Sequence, residues 1–371
     1  MNVDRGTALS AIATALKFST CNSESAPKGF MKRVHVSDYG GCLKRNKVDC
    51  MSSRSSINEK ALQILQDFIE DAEELGCKTI DTKCGATVID TGIKVPGSIE
   101  AGRLIGRISM GGLGAVRIVP THIEDMTVQA VMVATQEPVI ATLGSQLARW
   151  RVNYHGFSAL GSGPARAKAG IEKDFFEDID YTDDADTAVL VLETRQYPGD
   201  DVLRSIAETC SVSPENLHCV LVPTASVAGS VQIAARIVEI GIYRLYKLGL
   251  KPQQIRGGFG VAPFPTQIDD DVSAMGASND CLVYGGRVHF FIAPREIDIL
   301  EEIVQKACSS YSKSYGKSFS ELYKGAENIF YNMDQQLFSP ARISIMDIEA
   351  ENIYRAGKIN VKLVRKALGH V

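Results

Sequence analysis

Residues 217–249 read LHCVLVPTASVAGSVQIAARIVEIGIYRLYKLG and constrain the fold more than any other stretch of the chain. The run 217–222 is apolar and strand-like, and Pro223 closes it. Residues 224–226 are small and polar, as a strand-to-helix loop requires. The pattern then predicts one long helix over 228–248, stopped by Gly249. That helix is apolar on most sides, so it is a buried one. Its polar exceptions, Gln232, Arg236, Glu239 and Tyr243, recur at i, i+4, i+7 and i+11 and so share one face. On an otherwise apolar helix, Arg236 and Glu239 need each other or a ligand. Two uses of this stripe stay open at this point. An Arg–Glu pair at i, i+3 serves as a solvated helix face or as a pairing between subunits. It also lines a cleft, because the preceding loop sits at the carboxyl end of a strand, where α/β proteins place their ligands.

A chain of 371 residues is long enough for a large core and two lobes. Its formal net charge of -4 gives no sign of a nucleic-acid partner. Charges or glycines interrupt the apolar runs before membrane-spanning length. The nine cysteines include no CxxC clamp and the six histidines no HExxH or HxxxH pair, so no metal site is read. Scattered cysteines in odd number fit reduced thiols in a cytoplasm.

Residues 1–56 are rich in Ser, Lys and Arg without periodicity, and read as a poorly ordered extension. Met51 stands as an alternative start, in which case the residues before it are a gene-model artefact. Ordered structure begins at Ile57, with an amphipathic helix over 59–75 capped by Asn58 and stopped by Gly76. A hairpin pairs 79–81 with 86–90. Segments 107–110 and 115–119 read as strands around a GGLG turn, which lacks the spacing and the following helix of a dinucleotide fingerprint. Residues 128–134 form a strand, and 138–143 lead into Gly144, Ser145 and Gln146 and a helical turn. In GSGPARAKAG, Pro164 suits the first helical position after Gly161, Ser162 and Gly163. That turn either holds a phosphate or carboxylate beside Arg166, or needs its glycines for backbone reasons alone. The acidic stretch 172–186 reads as a solvated connection, and 187–193 as a buried strand ending in Glu193. Residues 199–210 read as a helix and 256–260 (RGGFG) as part of a long loop. A short helix over 269–275 precedes a hairpin of 281–284 with 287–293. Helices over 296–308, 319–331 and 360–368, and strands over 342–347 and 352–356, complete the chain.

Taken together, LGSQ (143–146), GSGPAR (161–166), PTAS (223–226) and ARIVE (235–239), with VPGS, MGGLG, NDCLVYGG and YGKSF, resemble the methenyltetrahydromethanopterin cyclohydrolase family. The resemblance runs from about Ile57 to the C-terminus. It implies a mixed α/β fold, with a catalytic unit over 57–371 made of two α/β lobes around a pterin-binding cleft. It further implies a homotrimer, a pterin substrate, and no metal or redox cofactor. The implied reaction is the reversible hydrolysis of 5,10-methenyltetrahydromethanopterin to the 5-formyl compound, in methanogenesis or formaldehyde oxidation. Arg236 and Glu239 match the chief catalytic pair, and Glu193 matches a further site carboxylate. The loops that carry the resemblance supply the substrate-binding candidates: Ser145, Gln146, Gly161, Ser162, Gly163, Arg166, Thr224, Ser226, Gln232, Tyr315 and Lys317. Two departures stand out. Leu147 follows LGSQ where many relatives carry Lys, and 312–319 reads SKSYGKSF where SRDYGKPF is common, so Lys313 and Ser314 replace an Arg and an Asp.

The residues agree with that chemistry. A methenyl bridge between two nitrogens is a resonance-stabilised cation. Water attacking its carbon must lose a proton, and a positioned carboxylate base is worth about 10²–10⁴-fold. Glu239 is expected to be that base and then to protonate the leaving nitrogen, with Arg236 orienting it. Glu193 and Glu239 together favour a cationic substrate. Two other readings remain: the same chemistry on a folate or other tetrahydropterin carrier, and a diverged, non-catalytic pterin-binding protein.

Overall fold

The computed structural model describes residues 55–266, 270–293, 300–327 and 332–369. The extension expected over 1–56 lies outside these except for its last two residues, as do the first residues of the helix expected over 296–308 and the last of that over 319–331.

The first helix, α1, spans Ile57–Glu70. Its cap is Ser56, whose hydroxyl accepts from the Glu59 N–H at 3.0 Å, and not the expected Asn58. Asn58 lies inside α1 and is fully buried. Its amide donates to the Pro164 carbonyl at 3.1 Å, and its Oδ1 accepts from the Val189 N–H at 3.0 Å. A residue of capping type thus ties α1 to the sheet beneath it. Replacing Asn58 with leucine strands both backbone groups, at a cost of about 2–4 kcal/mol. A denaturation midpoint unchanged from wild type would show that these groups find other partners.

The chain continues through β1 (Lys78–Asp81), β2 (Thr87–Asp90), α2 (Ile99–Ser109), β3 (Ala115–Ile123) and β4 (Met126–Thr135). A π-type turn over Ile140–Gln146 leads to β5 (Trp150–Tyr154), β6 (Phe157–Ser162), α3 (Ala165–Ala169), α4 (Lys173–Ile179) and β7 (Ala188–Glu193). Next come α5 (Asp200–Thr209), β8 (Leu217–Leu221), α6 (Val227–Ala234), α7 (Ile237–Lys247), β9 (Ile255–Pro263) and α8 (Asp271–Gly285). The chain ends with β10 (Arg287–Ile292), α9 (Leu300–Lys306), α10 (Phe319–Gly325), β11 (Arg342–Asp347), β12 (Ile353–Gly357) and α11 (Val361–Ala367). Among the described residues no helix is long and apolar enough to cross a membrane.

The strands form two six-stranded mixed sheets, as the mixed α/β expectation requires. Their orders are β1-β2-β8-β7-β6-β5 and β12-β11-β10-β9-β4-β3. In the first, β2, β8 and β7 run parallel, and the expected β1–β2 hairpin is present. Val189, Val191, Val220 and Val222 face α1 and α2 on one side of this sheet. Leu190, Leu192, Cys219 and Leu221 face α5 on the other. The second sheet packs Val133, Ala262, Val288, Phe290 and Ile345 against α7 and α9. The helix α6 joins the two cores, with Ala228 in the first and Val231 and Ala234 in the second.

Five further local expectations are corrected. The helix expected over 228–248 is two helices, broken at Ala235 and Arg236. Residues 107–110 close helix α2 and are not a strand. RGGFG is not loop but lies in β9, paired with β4 and β10. A Cβ at Gly258 would sit 2.8 Å from the Phe290 ring, and one at Gly260 would sit 3.0 Å from Ile237, so glycine here permits close sheet and helix packing. Residues 281–284 are the end of α8 and not a hairpin strand; its start is set by Asp270, which accepts from the Val272 N–H at 2.9 Å. The acidic stretch 172–186 is likewise not simply solvated. It forms α4, buries Phe176, Ile179 and Tyr181, and sends Asp183 to the N-terminus of α1, where it accepts from the Ile57 N–H at 2.9 Å.

The buried Asp280 of α8 accepts from the Phe319 N–H at 2.8 Å. Burial pushes its carboxyl up to about 7, against an ordinary 3.8. Between those values the native state holds a proton that the unfolded state has released, so stability falls as pH rises through this window. Asp280→Asn keeps the acceptor for Phe319 and removes the charge. Its stability relative to wild type should be unchanged near pH 4 and higher by roughly 4 kcal/mol at pH 8. Parallel denaturant midpoints for the two proteins across that range would contradict this.

Candidate active site

The break between α6 and α7 places Arg236 where several loops meet. Its Nη1 donates to the Gln146 carbonyl at 2.6 Å and to Glu239 Oε2 at 3.3 Å. Its Nη2 donates to Ser162 Oγ at 3.1 Å and to Gln232 Oε1 at 3.3 Å. One guanidinium therefore gathers the π-type turn, the end of β6 and both helices. The turn is braced from below: Ser145 Oγ donates to the Ser109 carbonyl at 2.6 Å, and the Gln146 amide donates to Ser109 Oγ and to the Ala235 carbonyl, each at 3.3 Å. The last contact takes a carbonyl that the helix break leaves out of the α-helical ladder. Gln146 Oε1 and Gln232 Nε2 are buried without a hydrogen-bond partner among the described residues. They belong to the two glutamines that Arg236 contacts, through the Gln146 backbone carbonyl and Gln232 Oε1.

Glu239 is 6% exposed and sits in the first turn of α7. Burial raises its pKa above the ordinary carboxylate value, against the lowering influence of Arg236 and, further off, Arg166 and Arg149. The helix N-terminus also favours its charged form. Its Oε1 carries no hydrogen bond from the described residues, so one carboxylate oxygen is fixed and the other is free to take a proton.

A second carboxylate stands beside the first group. Glu193 ends β7, is half-buried, and accepts from Thr224 Oγ1. Antiparallel pairing sets Leu160 against Glu193 and Ser162 against Val191. Ser162 and Glu193 are therefore diagonal neighbours on one face of the sheet, about 7–8 Å apart. The Arg236 cluster and the Glu193–Thr224 pair thus share one side of the first sheet. Ser226 shapes the same loop by donating to the Pro223 carbonyl at 2.8 Å and capping α6 through the Gly229 N–H at 2.9 Å.

Other expected site residues are placed differently. Arg166 is fully buried, and it donates to the carbonyls of Leu143 at 3.1 Å and Ser145 at 3.4 Å and to Glu172 at 3.2 Å. Burial holds its pKa down to about 10. The Gly163 N–H donates to the Ser145 carbonyl at 2.9 Å. These groups of the Gly161–Gly163 turn fasten it to the LGSQ segment. Tyr315 packs edge-on to Tyr284 with ring centroids 5.4 Å apart, and the Lys317 carbonyl accepts from Tyr284 Oη. No hydrogen bond among the described residues joins either to the Arg236 cluster. Residue patterns did not single out Arg149, which donates to Tyr243 Oη and lies 5.2 Å from that ring, nor Glu172, set between Arg149 and Arg166. The stripe pointed at Tyr243, but its partner is distant in sequence.

The family model described as cyclohydrolase (MCH) matches residues 56–368, nearly the whole described chain. The chain belongs to this cyclohydrolase family. It is 42% identical over 317 residues to the methenyltetrahydromethanopterin cyclohydrolase of Methanocaldococcus jannaschii, covering 85% of this chain and 98% of that one. It is 41% identical over 318 residues to that of Methanococcus aeolicus, with the same coverage of each chain. Against that of Methanothermobacter marburgensis it is 40% identical over 317 residues, covering 85% and 99%. Within this cyclohydrolase, Leu147 is absorbed by the core around α7, which accounts for an apolar residue there. Ser314 uses its N–H on Ser312 Oγ at 3.0 Å, inside its own turn.

Proposed function

We propose that this cyclohydrolase reversibly hydrolyses 5,10-methenyltetrahydromethanopterin to 5-formyltetrahydromethanopterin, with Glu239 as general base and Arg236 as its orienting partner. The observation that carries this is the buried Arg236–Glu239 pair, with one carboxylate oxygen held and the other free. Family membership supports the reaction. Water bound at Glu239 Oε1 attacks the bridging carbon while its proton passes to the carboxylate. The resulting carbinolamine collapses as Glu239 returns a proton to the departing nitrogen, and the hydroxyl proton leaves to solvent. The raised pKa of Glu239 suits a group that must take and return a proton. Glu193 supplies negative charge for the cationic substrate.

The same reading includes a catalytic unit of two lobes over 57–371, a homotrimer in the cytoplasm, and chemistry without a metal or redox cofactor. The family resemblance supports these. Purified protein offered methenyl-tetrahydromethanopterin and methenyl-tetrahydrofolate side by side tests the carrier, through loss of the methenyl absorbance. Fast loss with the methanopterin form alone is expected. Equal rates would assign a broader carrier, and no acceleration with either would favour a binding protein.

A further inference from the structure

Beyond the two carboxylates, a third element reaches the Glu193 side of the site. The loop between β8 and α6 carries Thr224, which donates to Glu193 Oε1. The next residue, Ala225, is gripped at both of its backbone groups. Its N–H donates to Asp271 Oδ1 at 2.9 Å, and its carbonyl accepts from Arg195 Nη2 at 3.2 Å. Arg195 Nε closes the ring by donating to Asp271 Oδ2. Arg195 lies two residues beyond Glu193, and Asp271 is the first residue of α8. The Glu193–Thr224 bond is therefore flanked, on both strands of chain that make it, by residues tied to one carboxylate.

This arrangement does little for stability. The side chains of Arg195 and Asp271 are 45% and 42% exposed, and ion pairs that open to water contribute little. What the ring does is geometric. Ser226 already closes the loop from Pro223 to Gly229, so once Ala225 is also held, the direction of Thr224 is set. We propose that Asp271, clasped by Arg195, is a positioning residue that aims the Glu193 carboxylate through Ala225 and Thr224. This rests on Glu193 being a site carboxylate, as proposed above. It adds a residue from a helix that makes no hydrogen bond to Glu193 among the described residues.

The test is steady-state kinetics on the full chain with methenyl-tetrahydromethanopterin, comparing Asp271→Ala, Asp271→Asn, Arg195→Met, Thr224→Val, Glu193→Gln and the Asp271→Ala/Thr224→Val pair, each with a thermal melt. Asp271→Ala should lower kcat/KM about 10-fold, because loosening a positioning contact misplaces a charged group. Most of that loss should appear in KM, since Glu193 faces a substrate that is cationic before reaction. Asp271→Asn keeps the acceptor for Ala225 and should fall between Asp271→Ala and wild type. The double variant should be no worse than Thr224→Val, with the melting temperature moved little throughout. Additive losses in the double variant, or wild-type kinetics in both Asp271→Ala and Arg195→Met while Thr224→Val is impaired, would overturn the proposal. Wild-type kinetics in Glu193→Gln would instead overturn the role of Glu193 itself, and the clasp with it. Should Asp271→Ala fail to fold, Arg195→Met carries the same comparison.

Discussion

Replacing Glu239 with glutamine should lower kcat by about 10²–10⁴-fold while the chain stays folded. Glutamine keeps the side-chain volume and can still accept from Arg236, but it cannot take a proton from water. Stability should not suffer. Burial raises the Glu239 pKa, so wild type loses stability as pH rises from the ordinary carboxylate value through the native one. Glutamine removes that loss, and its melting temperature should therefore gain on wild type toward neutral pH. The two measurements separate a lost base from a lost fold. A folded variant with near-normal turnover would place the base elsewhere.

Replacing Arg236 with methionine should act on stability and activity together. It leaves Glu239 buried without its partner, which costs about 3–5 kcal/mol. Arg236 is the largest influence holding the Glu239 pKa down, so its loss lets that pKa climb further. The penalty should thus be largest at alkaline pH and shrink as pH falls and the carboxyl takes up a proton. The pH at which the rate rises should move upward in the same variant. Adding Glu239→Gln to Arg236→Met should restore part of the stability, because the unpaired charge is gone. Denaturant midpoints for the four proteins at pH 5 and pH 8 check this. A penalty equal at both values and strictly additive in the double variant would mean that the pair is not coupled.

How much of this was legible in the sequence depends on whether the cause is local. The stripe Gln232, Arg236, Glu239 and Tyr243 was legible because helical spacing alone puts those residues on one side. The break at Ala235 and Arg236 was not, since both residues are good helix formers. Its partners come from afar: the Gln146 amide takes the Ala235 carbonyl, and the Gln146 carbonyl takes the Arg236 guanidinium. RGGFG has loop composition, and only the rings and branched chains pressed against it explain glycines in a strand. Asn58 has a capping residue's chemistry, yet its partners, Pro164 and Val189, lie more than a hundred residues away. The motif loops were legible as a set. Which of their residues meet was not, and Arg166 shows the difference, because its donors go to Leu143, Ser145 and Glu172.

The most direct measurement follows the oxygen. Methenyl-tetrahydromethanopterin incubated with the protein in ¹⁸O-labelled water, quenched at intervals and analysed by mass spectrometry, reports the bond that hydrolysis forms. One labelled oxygen in the formyl group, appearing far faster than in buffer and lost with Glu239→Gln, is the predicted result. Label appearing no faster than in buffer, from protein shown to be folded, would contradict the cyclohydrolase account. Label appearing equally fast in the Glu239→Gln variant would contradict the role given to that carboxylate.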